Sequence, residues 1–170
     1  IYHVYVYPDC NGEVFATHTR FSTIVSSPAT VPYYCSFEET GSSGWTFENG
    51  NEHNHWIIGN SSSTWGDKSL YITDDGTTNE WSSVESSVFA FRQIELLSGD
   101  YICSYDYRTG GYENENYLRV ALIPDYAPIY AGSYCGMDPQ ALTLPADYIS
   151  LDGNSFLNSQ PYWLTSEQHF

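Results

Sequence analysis

Residues 100–108 read DYICSYDYR, and whether they form a strand decides the fold class. Tyr101, Cys103, Tyr105 and Tyr107 alternate with Ile102, Ser104, Asp106 and Arg108. A period of two sends successive side chains to opposite faces of a strand, and aromatic and β-branched residues suit a pleated surface. The same habit recurs at YHVYVY (2–7), VFAFRQIE (88–95) and NYLRVALI (116–123), each bounded by Gly, Asp, Asn or Ser. No window carries a 3.6-residue period, and Ala, Leu, Lys and Arg are scarce, so the chain is predicted to be all-β. Strands are expected near 2–7, 14–23, 33–38, 55–59, 69–73, 87–96, 99–108 and 116–123. The 99–108 and 116–123 pair should be antiparallel and central, since both carry apolar groups on both faces.

Composition narrows the function classes. Acidic side chains number 21 against 5 basic ones, for a formal charge of -16. Binding to nucleic acid or to anionic lipid rests on Lys and Arg neutralising phosphates, which argues against both partners. No stretch approaches the roughly 18 apolar residues of a membrane span. Little lysine, abundant Tyr, Ser, Thr, Asn and Gly, and an acidic surface point to an extracellular, secreted or cell-surface protein. The four cysteines, Cys10, Cys35, Cys103 and Cys135, lack CxxC spacing and allow three full pairings. Cys103, inside an apolar strand pattern, fits a buried thiol as well as a disulfide.

At 170 residues the chain suits one domain plus a piece. VSSPATVP (25–32) reads as a linker. Before it, residues 1–24 carry two strand patterns around the turn segment PDCNGE, a hairpin that buries too little to stand alone. Ile1 opens in mid-strand pattern, without an initiator Met or signal peptide, and so reads as the start of an excised or processed piece. After Tyr126 the alternation weakens, and PYWLTSEQHF at the end is expected to supply no closing strand. Residues 33–170 are therefore expected to form an incomplete second module.

Taken in order, YYCSFEE (33–39), Trp45, NHWIIGN (54–60), KSLYITDDG (68–76), VFAFR (88–92), GDYICSYDYRTGG (99–111) and NYLRVALIP (116–124) resemble the motif string of MAM-like jelly-roll modules, the choice-of-anchor J or cleaved-adhesin group of bacterial surface and secreted proteins. The hairpin at 1–24 resembles the last two strands of a fibronectin type III module. The resemblance implies a jelly-roll β-sandwich with no catalytic role. Its task would be adhesion to a glycan or host protein or, alternatively, spacing of a neighbouring catalytic or anchoring domain. It also implies a structural calcium site at Glu38, joined by Asp106, with Asn116 standing where the group often carries Asp.

The residues supply their own readings beside this one. Glu38 reads rather as an exposed strand-end carboxylate with a structural ion pair, since calcium needs about six to eight oxygens and Asn116 lacks the charge of an Asp. Arg119, in an apolar strand, must be paired if buried. Were 100–108 and 116–123 a hairpin, Asp106 would face Arg119, a structural ion pair that competes with calcium for Asp106. His53 and His55 share a strand face but sit among Asn and Glu, as solvated or hydrogen-bonding histidines do. DDGTTNE (74–80) reads as a turn. Trp45 and Trp56 fit the core, whereas Trp65 in SSSTWGDK and Trp81 in TTNEWSSVE lie in polar loops. There an indole either packs its loop onto the sandwich or stacks against a sugar ring.

Overall fold

The computed structural model describes residues 27–111, 116–138, 143–154 and 157–170, together with the backbone of strands between residues 2 and 21. These residues are all-β and contain no helix. The first strands, β1 (Tyr2–Val6), β2 (Asp9–Cys10), β3 (Glu13–Val14) and β4 (Thr17–Phe21), pair antiparallel: Tyr2 pairs with Phe21, Val6 with Thr17, and Asp9 with Val14. Residues 22–26, where the expected linker begins, the Cys10 side chain and residues 112–115 lie outside the described residues.

The remaining strands are β5 (Ala29–Thr30), β6 (Thr46–Glu48), β7 (His55–Gly59), β8 (Ser69–Thr73), β9 (Phe89–Phe91), β10 (Ile94–Glu95), β11 (Ile102–Thr109), β12 (Ala121–Leu122), β13 (Ile149–Ser150) and β14 (Gln160–His169). Among the described residues every sheet is a pair: β5 with β10, β6 with β9, β7 with β8, β11 with β14, and β12 with β13. Only β5 and β10 run parallel. Residues 27–30 are held here by hydrogen bonds. The Ala29 amide donates to Gln93 O at 2.9 Å, and Arg92 Nη2 donates to Ser27 O at 3.0 Å.

The strands at 55–59 and 69–73 fall where the alternation puts them. Residues 33–38 form no strand, and Phe37 adopts a φ of 64° that no strand accommodates. The larger correction concerns β11. Its partner is β14, with Ile102 opposite His169, Tyr105 opposite Ser166 and Asp106 opposite Thr165. The closing strand that PYWLTSEQHF was not expected to supply is the longest in the structure. Pro161, which speaks against a strand because it has no N–H to donate, falls where the register slips: Tyr107 faces Leu164 and Thr109 faces Gln160, so the ladder is already broken there.

Residues 118–122 run instead beside 149–151 and Leu157. Leu118 bridges Leu157, Ala121 pairs with Ser150, and Leu122 with Ile149. The acid facing Arg119 is therefore Asp152, not Asp106. Arg119 Nε lies 2.7 Å from Asp152 Oδ2, with side chains 8% and 0% exposed respectively. The Val120 amide (3.1 Å) and the Ser150 hydroxyl (2.6 Å) also donate to that carboxylate, completing the satisfaction a buried charge requires.

The interior of the described part is as polar as it is apolar. Ala29, Tyr71 and Leu151 are its enclosed apolar residues, beside Asn54, Thr73 and Asp152. Asn54 shows how such a residue fits: its Nδ2 reaches Ser82 O (3.1 Å) and Ser86 Oγ (3.2 Å), while its Oδ1 accepts from the Ser82 amide (2.8 Å). One amide side chain thereby holds the 82–86 segment against the start of β7.

Candidate functional site

β7 and β8 pair from His55–Thr73 to Gly59–Ser69, leaving residues 60–68 as the connecting loop. A loop of this length has no turn type to fix it, and here side chains do so. Ser69 Oγ donates to Ser62 O, and Ser63 Oγ donates to Gly66 O at 3.0 Å. Glu38, from a distant part of the chain, contributes the main brace: its Oε1 accepts from the Asp67 amide (2.9 Å) and the Lys68 amide (2.8 Å). Lys68 Nζ returns a bond to Glu38 O at 3.2 Å. Gly66, at φ 73°, lets the carboxylate approach, for a side-chain carbon there would strike it. At the outer end Trp65 stands 83% exposed.

The 74–80 segment folds back beside this loop as a turn built on Asp75. Its carboxylate accepts from the Thr73 hydroxyl (2.9 Å), the Thr77 and Thr78 amides (2.7 Å each) and the Thr78 hydroxyl (2.7 Å). These donors, with the Thr78 hydroxyl first among them, favour the ionised form and hold Asp75 well below the usual aspartate range. The Asn79 amide donates to Ser61 Oγ at 2.8 Å, joining the two loops. Arg108 of β11 ties both to the β11–β14 pair, since its Nη2 reaches Ser62 Oγ (2.9 Å) and Asn79 Oδ1 (3.0 Å) and its guanidinium lies 5.5 Å from the Trp163 ring centroid.

The two loop tryptophans part company here. Trp81 is 39% exposed and lies over Gly110, where an added Cβ would come within 2.7 Å of the indole. It packs against the end of β11. Trp65 projects outward from this braced loop, a large apolar face held open to solvent.

The structure does not bring Glu38, Asp106 and Asn116 into one set. Glu38 serves the 60–68 loop, Asp106 accepts from Thr165 Oγ1 at 2.6 Å on the exposed face of β11, and Asn116 lies against Gly111. Among the described residues no group of three or more His, Cys, Asp or Glu is placed to hold a metal ion. His55 Nε2 bonds to Glu52 O at 2.7 Å, and His53 is exposed. Cys35, Cys103 and Cys135 are free thiols, and burial pushes Cys103 up.

Sequence reasoning passed over Arg108 and the true office of Glu38. Arg108 carries a readable signal, being one of five basic residues in a chain of 21 acids. Glu38 carries none, because a carboxylate that caps a loop some thirty positions later looks in sequence like any exposed acid. Compared with known proteins, the chain matches no family model, no curated protein and no solved structure.

Proposed function

We propose that this chain is a non-catalytic, extracellular adhesion module of a multi-module bacterial surface or secreted protein, and that it holds a glycan or host-protein ligand against Trp65. Its architecture in this reading is a MAM-like jelly-roll sandwich that follows the end of a fibronectin type III module. The observation that carries the reading is the exposed Trp65 on a braced loop. An indole displayed in this way costs solubility unless something covers it, and Glu38, Lys68 and the serines hold it where a ligand would meet it without prior ordering.

The spacer reading also has support: Arg92 and the β5–β10 pair tie residues 27–30 into the fold, as a stiff junction would require. A glycan array with wild type and Trp65→Ala separates the two. Adhesion predicts binding that Trp65→Ala weakens by about 2 kcal/mol or more, roughly thirtyfold, as for a buried aromatic anchor. Binding that ignores the substitution would place the ligand away from Trp65, and no binding to glycans or host-surface extracts would favour the spacer.

A further inference from the structure

Residues 124–138, PDYAPIYAGSYCGMD, form an irregular segment that the Trp65 site does not use. The Gly132 amide donates to Ser87 O (2.9 Å), and Tyr148 OH donates to Cys135 O (3.1 Å). The Cys135 thiol closes the inner turn, accepting from the Tyr130 amide at 3.4 Å. Two close approaches add to this. A Cβ on Gly50 would sit 2.7 Å from that of Ala131, and one on Gly136 would sit 2.8 Å from Pro145. The segment is therefore anchored on three sides by other parts of the fold.

From this fixed backbone Tyr126, Tyr130 and Tyr134 stand 74%, 54% and 43% exposed. Two are held by acids: Tyr126 OH donates to Asp147 Oδ2 at 2.7 Å, and Tyr134 OH to Glu85 Oε1 at 3.2 Å. The bond to Asp147 raises the Tyr126 phenol, and the charge of Asp125 adds to it; burial and then Glu85 raise Tyr134, with Asp138 contributing. No Lys or Arg occurs after Arg119, and Arg119 is consumed by Asp152. Asp147, Asp125, Glu85 and Asp138 thus set a negative field about Tyr126 and Tyr134.

We propose that this tyrosine-bearing segment is a second binding surface, one that takes a Lys- or Arg-bearing polypeptide segment. Preset tyrosines offer wide contact area at little entropic cost. Their ring faces attract ammonium and guanidinium groups, and the carboxylates at the Tyr126 and Tyr134 hydroxyls supply the counter-charge. An acidic ligand, or a second copy of this chain with its charge of -16, meets repulsion here.

The test uses the full chain and a fluorescent peptide of alternating Lys, Arg and Gly, followed by fluorescence anisotropy in about 0.05 M and about 0.15 M NaCl. Substitutions that leave net charge untouched separate a built surface from general attraction to an acidic protein. Tyr126→Ser with Tyr130→Ser should weaken peptide binding roughly tenfold, whereas Tyr162→Ser, an exposed tyrosine on β14, should leave it unchanged. Tyr130→Ser alone should give part of the loss, which covers the case of a double variant that fails to fold. Trp65→Ala should not affect the peptide, so this surface stands or falls apart from the glycan reading. Equal binding by wild type and both tyrosine variants overturns the proposal, as does absence of peptide binding. Loss of glycan rather than peptide binding on the tyrosine substitutions overturns it too.

Discussion

Asp152 shows how much one residue can organise. It accepts from Arg119, Val120 and Ser150, and its neighbour Leu151 receives the Tyr105 hydroxyl at 2.8 Å. Arg119→Leu strands this carboxylate without its cation and should cost about 3 to 5 kcal/mol in denaturant unfolding. Asp106→Asn removes only an exposed acid and should stay within about 0.5 kcal/mol. That Arg119 needed an acid was legible from its apolar strand; which acid was not, because the answer depends on the strand lying alongside. Asp75 makes a second point at this scale. Its folded-state value lies below the unfolded one, so its stabilisation is complete above the ordinary 3.8 and is lost as pH falls below it. Melting temperatures followed from pH 6 to pH 2 should drop less steeply in Asp75→Asn, which should already melt lower at neutral pH.

Among elements, β11 was legible as a strand and its partner was not. Alternation over 102–109 survives in the structure as strict exposed and half-buried succession. The partner β14 was hidden by Pro161 and by the order of the chain, since 116–123 is nearer in sequence and equally apolar. Pairing between distant strands is set by tertiary fit, which a local pattern does not encode. Tyr105 reports on that pairing. Burial pushes its phenol up to about 12 from 10.0, with the Asp152 charge adding to the effect. A raised value means stabilisation intact below pH 10 and lost between pH 10 and 12. Tyr105→Phe should flatten that alkaline loss in a tyrosinate absorbance titration, while costing about 1 kcal/mol at neutral pH for its bond to Leu151 O. The 60–68 loop offers a further check. Glu38→Ala should speed hydrogen exchange at the Asp67 and Lys68 amides, and Glu38→Gln, which keeps an acceptor oxygen, should do so less.

For the whole molecule, all-β character was readable from composition and period, whereas the division into paired strands was not. Paired strands with so few enclosed apolar residues hold together through side-chain bonds such as those of Asn54, Glu38 and Asp152, whose endpoints no sequence window spans. A charge of -16 works against compactness. Raising NaCl from about 0.02 M to about 0.5 M should therefore raise the melting temperature, in contrast to a fold held by surface ion pairs. The hold on residues 27–30 has a mechanical meaning. Tension arriving from earlier in the chain runs along β5, where the Ala29 amide and the Arg92 grip on Ser27 share the load side by side rather than yielding one after the other. A pull applied ahead of residue 27 would therefore meet both bonds at once.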